Sequence, residues 1–257
     1  MTRLFVVSEA GLITGHQPVK ILYRDDHIVA MDKPPGLLVH RSPIDKRETE
    51  FAVQKLRDTV GQHVYPVHRL DRPTSGVLVF AFNGQIASQL GQAMMGKQIR
   101  KGYLALVRGW MNGCGLIDYA LTFKRDKFAD AHRAEDVAPQ HAVTEYTVMK
   151  KFSVPVPVGR YDSARYSLVA LRPFTGRKHQ LRRHLVHLRH PIIGDTSHGD
   201  GKQNKFAREQ FGFNQLALTC TLMQFSHPVT GKTVTINTTP HAPFASMLSN
   251  LAGYEVT

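Results

Sequence analysis

The chain has 257 residues, of which 42% are hydrophobic, and it carries a formal net charge of +13 with a sequence pI near 9.9. This size and hydrophobic fraction allow a buried core without support from disulfides or metals. Cys114 and Cys220 are far apart and form no CxxC pattern, which argues against a disulfide framework or a cysteine zinc site. Because the chain is basic and no apolar stretch is long enough to span a bilayer, we expect nucleic acid rather than a membrane as its partner.

The amino terminus shows no export signal. Its only early apolar run covers residues 4–7, which is too short for the hydrophobic region of a signal peptide. We therefore expect a cytoplasmic protein.

Short predicted strands outnumber predicted helices. Residues 21–23 and 27–31 indicate two strands around a turn, and the apolar run 77–82 is typical of a buried strand. Apolar residues recur at helical spacing within 85–99, which predicts a helix there. Further strands are predicted at residues 103–107 and 166–171, and a hairpin at 222–225 and 233–236.

Two polar segments have little periodicity. We interpret residues 123–140 and 197–211 as surface loops. The many short strands predict an α+β fold with one large sheet, and no linker is sharp enough to divide the chain into independent domains.

One carboxylate stands out in the sequence VHRLDRPTSGVLVFA, residues 67–81. Asp71 lies between Arg69 and Arg72 and precedes a Pro-Thr-Ser-Gly turn. It could be a structural group that caps the turn or pairs with an arginine. It could also be a nucleophile, because nearby guanidinium groups favour the ionised form and carboxylates act as covalent catalysts at sugar carbons. A glycosidase would need a second, proton-donating acid, which this stretch lacks.

The densest positive charge lies in PFTGRKHQLRRHLVHLRHPIIGD, residues 173–195, where the only acidic residue is the last one. Leu181, Leu185 and Leu188 are spaced to face a core, so the basic face opposite has a fixed orientation. A solvated surface is one interpretation of such a run. An anion site is the other, since the turn at residues 175–176 could add backbone donors at the start of a helix.

Three histidines in this segment, His184, His187 and His190, suggest a metal site at first sight. Neighbouring arginines would repel a cation, and no carboxylate lies close by in sequence to complete the ligand set. Contacts with phosphate or with the protein core are therefore the preferred interpretation.

Several segments resemble one family when they are taken together. HRLDRPTSG at residues 68–76 resembles the HRLDxxTSG signature of the RluA-like family of pseudouridine synthases. ILYRDDHIVAMDKPPGLLVH, RKGYLALVRG, TGRKHQLRRH, HPIIGD and SHPVTGK resemble other family segments in the family's order. The match covers most of residues 20–239, and motifs in a common order are far more specific than any one of them.

The resemblance implies an enzyme that converts uridine in RNA to its C-glycoside isomer without a cofactor or metal. Asp71 matches the catalytic aspartate, which is the nucleophile. Tyr103 matches a tyrosine that stacks on the uracil and is a candidate to remove the C5 proton. Arg182 matches the arginine that pairs with the aspartate, and Arg69 the one that takes the place of the flipped base. Other basic residues are expected to contact RNA phosphates, namely Arg72, Arg177, Lys178 and Arg183.

The fold implied is the pseudouridine synthase fold, a large mixed and mainly antiparallel sheet with flanking helices and a central active-site cleft. Residues 19–257 correspond to the catalytic domain. Residues 1–18 match no family segment and are too few for the S4-type RNA-binding domain of many relatives, so we regard them as an N-terminal extension of unknown role.

Sequence details such as LVHRS at residues 38–42 resemble those of the family branch that modifies uridine 65 of transfer RNA. Transfer RNA is therefore the expected partner, and no obligate protein partner is evident. Two alternatives stay open: a ribosomal RNA pseudouridine synthase, and a catalytically inactive RNA-binding protein on the same fold.

Overall fold

The computed structural model describes residues 19–40, 48–122, 138–159 and 161–256, which together form an eleven-stranded sheet with helices around it. The strands are β1 (Ile21–Arg24), β2 (Ile28–Lys33), β3 (Tyr65–Pro66), β4 (Ser75–Ala81), β5 (Arg100–Arg108), β6 (Cys114–Asp118), β7 (Val143–Val154), β8 (Ala164–Pro173), β9 (Leu218–Ser226), β10 (Thr233–Asn237) and β11 (Glu255–Val256). The helices are α1 (Ala52–Val60), α2 (Gly84–Met95), α3 (Gln180–His187), α4 (Gly201–Phe211) and α5 (Ala242–Leu251).

The main path of the sheet runs β1-β2-β4-β9-β5-β8-β7-β11, with β3, β6 and β10 pairing with β4, β7 and β9. All pairs among the described strands are antiparallel except β4 and β9, which are parallel. The predicted mixed, mainly antiparallel sheet is therefore confirmed. No helix within the described ranges is long and apolar enough to cross a membrane.

The parallel contact between β4 and β9 explains part of the Thr-Ser-Gly sequence. Ser75 and Thr219 are paired, and their hydroxyl oxygens are 2.9 Å apart in a buried hydrogen bond. Gly76 has a φ of 106°, and a Cβ at this position would overlap the carbonyl oxygen of Cys220. Only glycine tolerates both the backbone angle and the close approach. This junction fixes the end of the loop that carries Asp71.

Two hydrophobic cores lie along the sheet. One is built on β2 and β4 with α1 and α2, and the other on β5 and β8 with α3, α4 and α5. Tyr103 on β5 packs against both cores. A side chain in this position lies where the two halves of the molecule meet.

Most predicted elements are present with shifted ends. The strands at residues 21–23, 27–31, 77–82, 103–107 and 166–171 and the hairpin at 222–225 and 233–236 correspond to β1, β2, β4, β5, β8, β9 and β10.

The predicted helix at residues 85–99 is α2, which ends at Met95 because Gly96 and the left-handed Lys97 break it before β5.

The prediction of a surface loop at residues 197–211 is wrong. Most of this segment is α4, whose first turn is capped by the Asp200 carboxylate, which accepts from the amides of Lys202 and Gln203. An Asp cap offsets the weak hydrophobic pattern, because it satisfies amide groups that the first turn leaves unpaired. Residues 123–137, most of the other predicted loop, lie outside the described residues.

Candidate active site

A pocket of about 280 Å³ opens where three distant segments converge. The loop before β4 contributes Asp71, β5 contributes Lys101 and Tyr103, and α3 with the segment before it contributes Arg182 and Arg177. The three residues predicted to be catalytic, Asp71, Tyr103 and Arg182, therefore lie in one pocket.

The nearest basic partner of Asp71 is remote in sequence. Arg182, 111 positions away, donates from Nη1 to Asp71 Oδ2 over 3.3 Å, and Nε2 of His179 lies 3.9 Å from the same oxygen. The side chain of Asp71 remains about 30% exposed, so its carboxylate is accessible from the pocket. Arg72, its sequence neighbour, instead donates to the Gly36 carbonyl at 3.1 Å and to Glu48 at 2.6 Å.

A second carboxylate, Asp195, fixes Arg182. Nε and Nη2 of Arg182 each donate to an Asp195 oxygen at 2.7 Å, and both side chains are almost fully buried. The backbone amides of Ser197 and His198 also donate to Asp195 at 2.9 Å. Burial opposes ionisation of Asp195, but these hydrogen bonds outweigh it and hold the pKa of the carboxyl below its usual value. Asp195 thus holds Nε and Nη2 of the guanidinium, and Nη1 is directed at Asp71.

The unpredicted helix α4 supports this arrangement. Asn204 on α4 donates from its side-chain amide to the Asp195 carbonyl at 2.9 Å and accepts from the Gly194 amide at 2.8 Å. The turn that carries Asp195 is therefore fixed by a helix that the hydrophobic pattern did not reveal.

Lys33, at the end of β2, is fully buried behind the Asp71 loop. Its ammonium donates to the carbonyls of Pro34, Leu37 and Arg72 at 2.8–3.0 Å. Burial lowers the pKa of Lys33 to about 7, although the charge of Asp71 opposes the shift. The contacts join the Lys-Pro-Pro-Gly turn to the residue next to Asp71.

The part of the pocket around Tyr103 is half-buried, and the titratable groups His68 and Lys101 also line it. Burial, together with Cys220 and Asp71, raises the pKa of Tyr103 well above its usual value, so the phenol is protonated at neutral pH. His68 accepts from the Val79 amide at 3.1 Å, and burial and the nearby charge of Lys101 lower its pKa to about 4. His68 is therefore neutral at neutral pH.

The start of α3 is less open to anions than the sequence suggests. The side chain of Gln180 accepts from the Arg177 amide at 3.0 Å and from the Thr175 hydroxyl at 2.8 Å. His179 precedes the helix in a left-handed conformation with a φ of 55°, and its Nδ1 is 2.9 Å from Nε2 of His198. Burial lowers the pKa of His179 to about 4, while the charge of Asp71 opposes this shift. Protein groups therefore already occupy part of the expected anion site.

The residues predicted to contact RNA fall into two groups. Arg69, Arg177 and Lys178 are exposed and line the pocket, so they form its basic rim. Arg72 and Arg183 lie outside the pocket lining, and Arg183 donates to the Thr122 hydroxyl at 3.2 Å.

The predicted orientation of α3 is confirmed, because Leu181 and Leu185 are buried in the core and Leu188 packs against it.

The three histidines of this segment contact different protein groups. His184 is buried and pairs with the Thr144 hydroxyl and the Tyr119 carbonyl, both at 3.0 Å. His187 stacks on Tyr119, and His190 bonds to the Arg108 carbonyl at 2.8 Å.

Asp195, Lys33 and Lys101 are site residues that residue patterns alone did not single out. Each lies inside a family-like segment, HPIIGD, DKPPG or RKGY. A charged residue inside an otherwise apolar run is the available signal, since a buried charge needs a defined partner. Which partner it has depends on the fold.

Comparison with known proteins agrees with this geometry. Residues 27–187 match the family model described as RNA pseudouridylate synthase. The tRNA pseudouridine synthase C of Yersinia pestis is 49% identical over 231 residues, 90% of each chain. Those of Vibrio vulnificus and Pasteurella multocida are 50% and 51% identical over 85% of this chain and 89% and 90% of their own.

Solved structures show the same fold. Human RNA Pseudouridylate Synthase Domain Containing 1 has a TM-score of 0.68 at 24% identity and covers 93% of this chain and 89% of its own. Domain Containing 4 has a TM-score of 0.67 at 24% identity, with 90% and 92% covered. Taken with the family model and the relatives at about half identity, these matches show that the chain belongs to the RNA pseudouridylate synthase family.

Proposed function

We propose that this protein isomerises uridine to pseudouridine in transfer RNA, that its target is uridine 65, and that it works in the cytoplasm. The observation that carries the proposal is the identity of 49–51% over 85–90% of the chain to three proteins named tRNA pseudouridine synthase C. Uridine 65 rests on the resemblance of the sequence to the branch of the family with that target.

In the proposed reaction, Asp71 is the nucleophile. Its carboxylate bonds to C1′ of the ribose as the N-glycosidic bond breaks, the uracil turns over while it is held in the pocket, and C5 then bonds to C1′ as the bond to Asp71 breaks. C5 loses a proton and N1 gains one, so the product has the mass of the substrate and no water is consumed. The exposed part of the Asp71 carboxylate faces a pocket that an extruded nucleotide could enter, which supports this role.

Arg182 is proposed to orient the Asp71 carboxylate. Its contact of 3.3 Å with Asp71 and its two bonds of 2.7 Å to Asp195 support this role. A guanidinium is suited to the task because its planar donors bind two carboxylates in fixed directions. Asp195 acts through Arg182 and is a positioning residue.

Tyr103 is proposed to stack on the uracil. Its place in the pocket and between the two cores supports a rigid aromatic surface. Because the phenol is protonated at neutral pH, stacking suits it better than removal of the C5 proton in the resting enzyme.

The basic rim is proposed to bind the RNA around the target. Arg69 is exposed beside Asp71, where a guanidinium can enter the space that an extruded base leaves. Arg177 and Lys178 lie on the same rim and can contact phosphates, which supply affinity and position. Arg72 and Arg183, which lie outside the pocket lining and donate to protein groups, are proposed to contribute less.

Mapping pseudouridines at nucleotide resolution in cells with and without the gene tests the proposal. We expect the mark at position 65 of transfer RNA to disappear and to return with the wild-type gene but not with Asp71→Asn. Loss of a ribosomal mark with position 65 intact would contradict the substrate and support a ribosomal RNA enzyme. No lost mark, with RNA binding retained in vitro, would support the inactive RNA-binding protein.

A further inference from the structure

A second cavity opens beside the active-site pocket. It has a volume of about 400 Å³ and lies between the end of α2, the start of β5 and the end of β8. The two cavities adjoin, because they share the lining residues Met94, Lys101, Pro173 and 175–177. We call this second cavity the side groove. Its volume is in the range of small-molecule binding sites.

The side groove is strongly basic. Its charged lining residues are Lys97, Arg100, Lys101, Arg172 and Arg177, and none of its described lining residues is Asp or Glu. The closest carboxylate to Arg172 is that of Glu145, at 3.7 Å, and both side chains are more than 40% exposed. An exposed pair of this kind neutralises little of the local field. Cations this close favour a bound anion such as phosphate.

The side groove also offers a flat surface for stacking. The guanidinium of Arg172 lies over the ring of Phe174, 4.7 Å from its centroid. Nucleic-acid bases stack on guanidinium planes and aromatic rings of this kind. Met94 and the exposed Met95 add apolar and adaptable surface from α2. Phosphate-binding charge next to a stacking surface fits a nucleotide.

We propose that the side groove binds the nucleotide next to the isomerised uridine on the same RNA strand. Its base stacks on Arg172 and Phe174, and its phosphate lies near Lys97 and Arg100. Extruding a paired uridine also weakens the stacking of its neighbour, and a second stacking surface offsets that loss. This inference rests on the proposed function, because it takes the adjoining pocket as the uridine site.

A double-mutant cycle that combines one protein change with one RNA change tests the proposed stacking of the base on Arg172 and Phe174. The protein change is Arg172→Lys, which keeps the charge and removes the planar group. The RNA change is an abasic site at the 5′ or the 3′ neighbour of the target in a transfer RNA stem-loop. Dissociation constants are measured with both proteins in an Asp71→Asn background, so that no turnover occurs.

One of the two abasic RNAs should bind the Arg172-containing protein about tenfold more weakly than the intact RNA. Arg172→Lys should weaken binding of intact RNA similarly, with no further loss on that abasic RNA. Phe174→Leu should give the same pattern, and unfolding temperatures identify any variant that is misfolded. If the affinity losses from the protein change and the RNA change add at both the 5′ and the 3′ neighbour, the proposal is overturned.

The proposed phosphate contact is tested with the double variant Lys97→Gln/Arg100→Gln. The matched control is Lys150→Gln/Lys205→Gln, which removes two charges from exposed side chains that line neither cavity. The groove variant should flatten the dependence of log Kd on log salt by about one for each RNA phosphate that the groove no longer neutralises, and the control should not. Equal slopes in both would overturn the phosphate assignment.

Failure of the two proposals can be told apart. If the wild-type enzyme forms no pseudouridine in any RNA, the proposed function is wrong, and the binding cycle still decides whether the side groove holds a nucleotide. If the wild-type enzyme isomerises uridine but the cycle is additive, only the side groove assignment is wrong.

Discussion

The buried charged groups at and beneath the candidate active-site pocket, which we call its base, are held differently from the exposed charges on its rim. At the base, Arg182 and Asp195 are almost fully buried and joined by two bonds of 2.7 Å, and Lys33 is bonded to three carbonyls. On the rim, Arg69 and Lys178 are exposed. A buried charge must be matched by fixed partners within the protein, whereas an exposed charge can also be reached by an anion from outside. Substitutions at the base should therefore change turnover and folding, and those on the rim should change RNA affinity.

The largest expected effect separates chemistry from binding. Asp71→Asn should lower the turnover rate by at least about 10⁴-fold, because the amide cannot act as the nucleophile. Its partly exposed side chain should make the variant fold normally and bind RNA with near wild-type affinity. Tritium release from C5-labelled uridine measures turnover, and filter binding measures affinity. Turnover above one product per enzyme would refute the assignment.

The next largest effect concerns stability at the base. Asp195→Asn should lower the free energy of unfolding at neutral pH by about 3 kcal/mol, because it leaves the buried guanidinium of Arg182 without its main partner. It should also lower turnover, since Arg182 is no longer held towards Asp71. Chemical denaturation measures the first effect. The control is Glu255→Gln, which removes an exposed pair with Lys150 and should change stability by less than about 1 kcal/mol.

The ion pair between Asp195 and Arg182 should make the free energy of unfolding depend on pH. The folded pKa of Asp195 is lowered, so its stabilisation is present above its unfolded pKa of about 4 and is lost as the pH falls through the folded value. The stability difference between wild type and Asp195→Asn should therefore shrink below about pH 4. A difference that stays constant from pH 7 to pH 3 would contradict the ionised pair.

Tyr103 lies between the base and the rim, and its substitutions distinguish stacking from proton transfer. Tyr103→Ala should lower kcat/KM by the equivalent of about 2 kcal/mol through loss of base stacking. Tyr103→Phe keeps the ring and should retain most of the affinity for RNA. If Tyr103→Phe lowers the single-turnover rate as much as Tyr103→Ala, the hydroxyl takes part in proton transfer and stacking is not its main role.

The smallest effects compare two exposed basic residues. Lys178→Gln should reduce the salt dependence of RNA binding by about one phosphate contact. It should not change the rate at which bound RNA is isomerised. Arg72→Gln should reduce the salt dependence less, because Arg72 lies outside the pocket lining and its guanidinium donates to Glu48 and Gly36. Titrations at several salt concentrations in the Asp71→Asn background measure both. Equal reductions would show that Arg72 leaves its protein partners to meet RNA.

Local sequence was sufficient for much of the fold and for the choice of Asp71 as the proposed nucleophile. Alternating and continuous apolar runs predicted β1, β2, β4, β5 and β8, because strand formation follows from periodicity and turn residues. Asp71 could be selected from its motif. The helix α4 was missed because its stability comes from an Asp cap and from packing of a few residues rather than from a regular apolar stripe.

By itself, the sequence determined the strand pattern, the basic character and the family. Only the tertiary structure decided that the partner of Asp71 is Arg182, 111 positions away, and not the adjacent Arg72. It also decided that Asp195 anchors this arginine and that Tyr103 lies between two cores. The physical reason is that periodicity is a local property of the chain. The partner of a buried charge instead depends on which distant strands and turns the sheet brings together.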